Sequence, residues 1–211
     1  MRCLLLYYSL TGQAARAVES AALACAREGW EAVACRMDFA APDERPRRPL
    51  GIAGSKKWTQ GAQRGMRLPL VYEPAAAMAR TYDLVLIFSN TWGDSPSVPV
   101  RSFLESGEAG RVLAGTPFGV FVICRRLFKK NLALTRGLGE AAGGRFLGGE
   151  AFMHPGGQIG SLIQTVTYIN RAGAPLRRFL GFPLPAYGLS DEAMARVPAF
   201  TRELLAKAGA G

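Results

Sequence analysis

The stretch RCLLLYYSLTGQ, residues 2–13, decides the fold of this chain. An apolar run occupies residues 3–8, and the hydroxyl-bearing Ser9 and Thr11 follow it together with Gly12. Runs that are apolar on both faces are typical of strands buried inside parallel sheets. Small apolar residues then recur at helical spacing up to residue 25. The pattern predicts a strand over residues 2–8 that passes through one tight turn into a helix over residues 11–27.

The alternation of strand and helix continues along the chain. The further predicted strands cover residues 31–37, 82–89, 118–124 and 145–152. The further predicted helices cover residues 98–106, 129–142, 161–170 and 176–180, and a closing helix follows Ser190. Such alternation indicates an α/β fold, a parallel sheet with helices on both faces. Ligands of these sheets bind at the carboxyl ends of the strands, where the strand order reverses.

Two segments exceed what a minimal fold of this kind needs. Residues 42–74 are rich in Pro, Gly and basic residues, and we expect a long insertion after the second strand, either a functional excursion or a mobile lid. Residues 153–211 are expected to form a C-terminal helical extension. Its apolar cluster at residues 179–187 is a candidate for core packing, for a homodimer interface or for an apolar pocket. We expect residues 1–211 to form a single domain.

The formal net charge of +10 favours an anionic partner. Half of the excess lies between residues 43 and 67, where seven Lys and Arg accompany two acidic residues. That segment offers only Trp58 as a well-placed aromatic and no nucleic-acid motif, so nucleic acid is disfavoured as a partner. No apolar stretch approaches the length of a membrane span, and the four cysteines lack CxxC spacing. We therefore expect a cytoplasmic protein with reduced thiols, no membrane span and no metal site.

The turn at residues 9–13 has the chemistry of a phosphate site. The first N–H groups of a helix lack partners within the helix, and the helix dipole adds positive potential there. Ser9 and Thr11 would add hydroxyl donors, and Gly12 would let an anion approach the backbone. A purely structural alternative stays open, because either hydroxyl could simply cap the helix.

A second polar turn follows the strand predicted over residues 82–89. It reads Ser89-Asn90-Thr91-Trp92-Gly93-Asp94 and should lie beside the first turn. The flat indole of Trp92 could stack on a planar ligand or could only cover the core.

The two turns together resemble a known family. Residues 8–13, YSLTGQ, resemble the phosphate loop of flavodoxin-like proteins, and residues 91–94, TWGD, are similar to their second flavin-binding loop. The resemblance implies a doubly wound five-stranded sheet in the order 2-1-3-4-5 and FMN as the cofactor. The FMN-binding residues that it implies in these turns are Ser9, Leu10, Thr11, Gly12, Gln13, Asn90, Thr91, Trp92, Gly93 and Asp94. The first five would surround the phosphate, and Trp92 would stack on the ring.

The turn after the strand at residues 118–124 is cationic. Residues 124–130, CRRLFKK, hold four cations without a carboxylate among them. The resemblance places Cys124, Arg125 and Arg126 near the flavin ring, as further cofactor contacts. Positive charge there would stabilise the reduced anionic flavin and would suit hydride chemistry better than the low-potential relay of acidic flavodoxins. His154, the single histidine, is the candidate catalytic residue, although a lone His in a Pro-Gly turn is also typical of a structural role.

The resemblance implies a flavoprotein and leaves two activities open. The first is an FMN-dependent NAD(P)H oxidoreductase, with NADPH or NADH as donor and a quinone-like or other small electrophile as acceptor. The alternative is a flavodoxin-type electron-transfer protein without reductase activity, which docks on an acidic redox partner protein. A fainter resemblance links residues 8–13 and 124–125 to proteins labelled dialkylresorcinol condensing enzymes, but the chain has no GxSxG motif for acyl transfer.

Overall fold

The computed structural model describes residues 1–171 and 175–210. The strands are β1 (Arg2–Tyr7), β2 (Glu31–Phe39), β3 (Leu70–Glu73), β4 (Leu84–Trp92), β5 (Ser95–Pro96), β6 (Pro117–Cys124), β7 (Arg145–Met153), β8 (Arg178–Phe179) and β9 (Phe182–Pro183). The helices are α1 (Gln13–Arg27), α2 (Gly51–Gln63), α3 (Val98–Leu104), α4 (Gly107–Leu113), α5 (Lys129–Ala141), α6 (Gln158–Asn170) and α7 (Asp191–Gly209). Two 3-10 turns cover Pro42–Glu44 and Ala75–Ala79.

The main sheet has the strand order β3-β2-β1-β4-β6-β7. Five of these strands pair in parallel, and in chain order they form the series 2-1-3-4-5. The predicted α/β fold and its strand order are therefore confirmed. Two strands of this sheet were not predicted: β3 extends the edge antiparallel to β2, and β5 folds back on the end of β4.

The burial of β1 explains why its sequence is apolar at successive positions. Leu4 and Leu6 point into one half of the core, and Cys3 and Leu5 point into the other. Helices α1 and α7 cover the second half, while residues of α2, α3, α4 and α5 cover the first. Both faces of the strand are thus enclosed by helices, as the sequence pattern indicated.

Residues 42–74 contribute regular structure to these layers. They contain α2, which buries Trp58, Gly61 and Ala62, and the edge strand β3. Because a single large apolar side chain anchors α2 among basic and small residues, its sequence carries only a weak helical pattern.

The helix predicted over residues 176–180 is wrong. This stretch instead enters the hairpin β8–β9, whose turn has positive φ at Leu180 and Gly181. Pro183 and Pro185 lack the N–H that a helix interior requires, so the surrounding sequence cannot propagate a helix. Leu180 and Phe182 are exposed, so packing of the whole apolar cluster on the sheet is also wrong.

Candidate functional site

Three turns meet at the carboxyl edge of the sheet. The pairing of β1 with β4 runs to Tyr7 and Phe88, and the pairing of β4 with β6 runs to Asn90 and Ile123. The chain leaves all three strands at the same edge, as the sequence predicted. The turns after β1, β4 and β6 are called the first, second and third turns below.

The first turn presents an open helix start. Gly12 adopts φ +81°, and an added Cβ there would meet no heavy atom within 4 Å. Gly12 is the N-cap residue of α1, and the hydroxyl of Ser9 accepts the Ala15 N–H of its first turn at 3.4 Å. The first intrahelical bond runs from the Arg16 N–H to the Gly12 carbonyl at 3.1 Å. The backbone N–H groups of Gln13 and Ala14 therefore remain without an acceptor inside the helix.

The side chain of Gln13 serves the fold. Its Oε1 accepts the backbone N–H of Leu189 at 3.0 Å and a guanidinium N–H of Arg16 at 3.2 Å. Gln13 is buried and its side chain is engaged within the protein, so only its backbone N–H is left for a phosphate. Thr11 lies beside the hydroxyl of Tyr187. Burial raises the pKa of Tyr187 to about 12, and the contact with Thr11 acts on this pKa in the opposite direction.

The second turn is a tight hairpin between β4 and β5. Thr91 pairs with Pro96 and Trp92 with Ser95, and Gly93 turns the chain with φ +71°. An added Cβ at Gly93 would come within 2.9 Å of side-chain atoms of Thr59 and Gln63 in α2. Both the backbone angle and the close approach of α2 thus require glycine at this position.

A buried polar network holds the second turn to α5. The Asn131 amide donates to Thr91 Oγ1 at 2.8 Å, and its Oδ1 accepts the hydroxyls of Ser89 at 2.7 Å and Thr135 at 2.9 Å. Asn131 is fully buried. The sequence reasoning missed Asn131, although polar residues four apart on the buried face of a helix are a signal for such a network.

Asn90 and Thr165 carry buried oxygen atoms without partners among the described residues. The backbone carbonyl of Asn90 accepts the Ser97 N–H at 2.8 Å, but its side-chain Oδ1 has no partner. The hydroxyl of Thr165, on α6, also has no hydrogen-bond partner among the described residues. Buried polar atoms are normally hydrogen-bonded, so each points to an interaction outside the described chain.

Trp92 belongs to an aromatic group beside the turns. Its ring meets Tyr8 edge-on at a centroid distance of 5.9 Å and Trp58 at 5.6 Å, and Trp58 in turn contacts Phe39. Trp58 comes from α2, so the segment at residues 42–74 supplies part of the aromatic wall. The sequence predicted Trp92 in this wall and missed Trp58.

The third turn carries two arginines that are held in place. Arg125 Nη1 donates to the Gln158 carbonyl at 3.1 Å, and Arg126 Nη1 donates to the His154 carbonyl at 2.8 Å. Burial raises the pKa of Cys124 to about 12, although the positive charges of Arg126 and Arg125 lower this pKa. The Cys124 thiol is therefore neutral, and it is buried in the core.

Lys130 is not an unbalanced cation. Its Nζ lies 3.0 Å from Oδ2 of Asp94, which also accepts the Ser95 hydroxyl at 2.9 Å. Residues 124–130 contain no carboxylate, but Asp94 of the second turn supplies one to Lys130. Sequence distance concealed the pair, because Asp94 comes from the second turn. The positive charge that faces the site therefore comes from Arg125 and Arg126.

His154 lies behind Arg126 in a neighbouring pocket of about 290 Å³. Its ring meets Tyr187 edge-on at a centroid distance of 5.2 Å. Burial, followed by the charges of Arg126 and Arg125, lowers the pKa of His154 to about 4. The imidazole is neutral at neutral pH, so it would act as an acceptor or as a weak donor. Its catalytic role stays a prediction.

A cavity of about 480 Å³ lies among the three turns, α2 and α6. From the turns come Leu10, Thr91, Trp92, Gly93, Arg125, Arg126 and Leu127. From α2 and the chain before it come Pro46, Leu50, Ile52, Ser55, Trp58 and Thr59, and from α6 come Leu162, Thr165, Val166, Ile169 and Asn170. The sequence predicted the turns and missed both helical walls. The spacing of Leu162, Val166 and Ile169 was the available signal for the α6 wall.

The two helical walls are joined by a stack of side chains. The guanidinium of Arg48 lies 3.5 Å from the centroid of the Tyr168 ring, which stacks on Tyr187 at 3.6 Å. Arg48 also donates two hydrogen bonds to the Tyr168 carbonyl, at 2.7 and 3.0 Å. The Leu50 N–H donates to the Ile169 carbonyl at 3.1 Å. Residues 48–50 are thus fastened to α6.

Within residues 1–171 and 175–210, no three side chains among His, Cys, Asp and Glu are grouped to hold a metal ion. No helix in this described part is long and apolar enough to cross a membrane.

The fold is similar to solved flavodoxins and flavoproteins. A flavodoxin from the domain Archaea has a TM-score of 0.55 at 7% identity, with 99% of both chains covered. Flavodoxin 2 from Bacillus cereus has a TM-score of 0.54 at 13% identity, covering 98% of this chain and 99% of that one. A flavoprotein from Lactobacillus acidophilus NCFM, solved in complex with FMN, has a TM-score of 0.50 at 16% identity, covering 71% of this chain and 92% of that one.

No protein-family model and no curated protein matches the sequence. Three observations agree on the fold: the structural similarity, the parallel strand order 2-1-3-4-5 and the meeting of the turns at one sheet edge. This chain has a flavodoxin-like fold.

Proposed function

We propose that this protein is an FMN-binding flavoprotein that acts as an NAD(P)H-dependent oxidoreductase. The observation that carries the proposal is the cavity at the carboxyl edge of the sheet, which the turns after β1, β4 and β6 border together. Its volume of about 480 Å³ lies in the range of small-molecule and cofactor sites. Doubly wound sheets bind their ligands at this edge, where the strand order reverses.

The residues present fit FMN. The open face of Gly12 and the free N–H groups at the start of α1 suit a phosphate. Thr165 lines the cavity, and its Oγ1 has no partner among the described residues, so this hydroxyl suits a carbonyl or N–H group of a bound ring. Trp92 and Trp58 line the same cavity with flat apolar surface.

This fit assigns roles to the residues of the turns. Thr11, Gly12 and the N–H groups of Gln13 and Ala14 would hold the phosphate, while Ser9 accepts the Ala15 N–H in the first turn of the helix that orients them. The ring would lie against the second turn, whose position Asn131 fixes through Thr91. Leu10 lines the cavity from the first turn.

Bound FMN would supply transfer of electrons and hydride to the reaction. The chain's own contribution is position, electrostatics and shelter from water. Arg125 and Arg126 place positive charge at the cavity, which favours a reduced, anionic ring and attracts the phosphates of a nicotinamide dinucleotide. Exposed Ile52, Leu127, Leu162 and Val166 form an apolar mouth, which suits a quinone-like or other small electrophilic acceptor.

The experiment is FMN reconstitution followed by anaerobic addition of NADPH and then NADH. Visible absorption should show a perturbed flavin band that bleaches directly with one of the two donors. A bound flavin that stays oxidised with both would contradict the reductase and favour an electron carrier, and failure to bind FMN would overturn the whole proposal.

Trp92→Ala and Trp30→Ala form a matched pair for the same assay. Trp92 lines the cavity, whereas Trp30 packs against the core on the other face of the sheet. Loss of the ring contact should weaken FMN binding about tenfold in Trp92→Ala. Trp30→Ala should bind FMN with the affinity of the unchanged protein.

A further inference from the structure

The hairpin β8–β9 carries an apolar tip with no covering element in the described chain. Leu180 is 82% exposed, Phe182 74% and Phe179 41%. Phe179 and Phe182 are cross-strand partners, and Leu180 sits in the turn with φ 48°. Singly exposed apolar residues are common on protein surfaces, but three large ones grouped on a four-residue ribbon mark an interaction site.

The base of this hairpin is firmly attached. Gln164 of α6 donates to the carbonyls of Leu176 at 2.8 Å and Pro185 at 3.0 Å, one on each arm. The Leu184 N–H closes the base by donating to the Arg177 carbonyl at 3.0 Å. The tip is thus presented from a fixed support on the helix that also lines the cavity.

The charges in the sequence around the tip have one sign. Residues 151–190 contain no Asp or Glu, and they contain Arg171, Arg177 and Arg178. Arg177 and Arg178 directly precede the apolar tip, and both are exposed. Stable anchoring of a protein at a bilayer surface needs two signals, apolar insertion and attraction of cations to anionic lipid headgroups. The hairpin offers both within about six residues.

We propose that the hairpin β8–β9 inserts into the surface of an anionic lipid bilayer and holds the protein there. Phe179, Leu180 and Phe182 enter the boundary between headgroups and acyl chains, and Arg177 and Arg178 contact the phosphates. A protein partner is disfavoured because a stable protein interface takes roughly 800 Å² from each side, which three protruding side chains do not supply. The attachment needs no spanning helix and does not depend on the proposed redox activity.

The first test is flotation of the whole protein with lipid vesicles. The protein should float with vesicles of equal parts phosphatidylcholine and phosphatidylglycerol, and should remain unbound with phosphatidylcholine alone. Leu180→Ser combined with Phe182→Ser should weaken binding at least about tenfold. Arg177→Gln combined with Arg178→Gln should weaken it to a similar extent and should reduce its sensitivity to salt.

Leu23→Ser and Arg202→Gln are the matched controls, since both residues are exposed on helices away from the hairpin. They should float like the unchanged protein. Absence of binding to anionic vesicles would overturn the proposal, and so would binding that the apolar hairpin variants leave unchanged. A shift of these variants from dimer to monomer in size-exclusion chromatography, without vesicle binding, would assign the tip to self-association instead.

Depth of insertion gives a second, independent readout. In Phe182→Trp the new indole should be quenched by brominated acyl chains, in excess of the background from the three native tryptophans. Leu23→Trp should show no such excess. Equal quenching in the two variants would overturn insertion through the hairpin.

Discussion

Gly12 and Gly29 have almost the same backbone conformation but lie in different turns. Their φ angles are +81° and +74°, and an added Cβ would meet no heavy atom within 4 Å at either. Alanine at either position should therefore cost a similar free energy of unfolding, about 1–2 kcal/mol from backbone strain alone. Only Gly12 lies in the turn that we assign to phosphate.

Gly12→Ala should accordingly weaken FMN binding about tenfold or more, while Gly29→Ala should leave FMN affinity unchanged. Fluorescence titration with FMN and urea unfolding measure the two effects separately. Equal affinities in the two variants would remove Gly12 from the phosphate site.

His154 makes stability depend on pH. Its pKa in the folded protein is about 4, whereas an unperturbed histidine titrates near 6.5. As pH falls below about 6.5 the unfolded chain takes up a proton that the folded chain does not, so folding is penalised progressively down to about pH 4. Above about pH 6.5 both states are neutral and the effect vanishes.

His154→Phe keeps an aromatic ring beside Tyr187 and cannot titrate. Between about pH 7.5 and pH 5, the free energy of unfolding should fall by about 1–2 kcal/mol more in the unchanged protein than in this variant. Urea unfolding of both proteins at the two pH values gives this difference. The titration of the carboxylates affects both proteins equally and therefore cancels in the comparison. A parallel decline in both proteins would contradict a buried, neutral His154.

At the residue scale, local chemistry was predictable and distant contacts were not. Ser9, Thr11 and Gly12 can be recognised because a helix start dictates what must surround it. Gln13 was predicted with them, but its side chain is taken by the N–H of Leu189, 176 positions later in the chain. The pairing of Asp94 with Lys130 was hidden for the same reason.

At the scale of elements, α5 positions the second turn through Asn131. Asn131→Ala would leave the hydroxyl of Thr91 and the neighbouring Ser89 without their buried partner, at a cost of about 2–3 kcal/mol in stability. Because Thr91 is part of the turn, FMN binding should also weaken. Thermal unfolding and FMN titration report the two effects.

Thr135→Val is the control for this network, because Thr135 bonds to Asn131 and Ser89 but not to Thr91. It should destabilise the protein without changing FMN affinity. If Asn131→Ala also kept full affinity, the network would be structural only.

The elements that escaped prediction have sequences whose composition masks their pattern. Helix α2 lies among Pro, Gly and basic residues and buries only Trp58, Gly61 and Ala62. Strand β3 is four residues long and alternates between half-buried and exposed positions, so nothing in the sequence separates it from a loop. Both depend on the neighbouring β2 and α3 for their stability, which is tertiary information.

At the scale of the whole molecule, the closing helix α7 completes the core. Leu204 is fully buried and packs directly over Gly119 of β6, where an added side chain would clash with it. Leu204→Ala should therefore lower the free energy of unfolding by about 2–5 kcal/mol. Exposed Leu23→Ala, on the other helix of the same face, should change it by less than about 0.5 kcal/mol. Similar urea midpoints for the two variants would show that α7 is dispensable.

The global architecture was the most predictable level. Strands that are buried on both faces indicate a parallel sheet, and β1, β4 and β6 have runs of successive buried residues. The cavity was predictable only at its sheet edge. Its helical walls required knowledge of how residues 46–59 and α6 approach each other, which neither segment encodes alone.

The stack of Arg48, Tyr168 and Tyr187 joins the two segments that exceed the minimal fold. Arg48 belongs to the basic stretch before α2, while both tyrosines belong to the region after β7. Removal of either segment would take away the contacts that Arg48 and Leu50 make with α6. The two segments should therefore be present or absent together in related proteins. In a relative that lacks α6, an arginine at position 48 should not be retained.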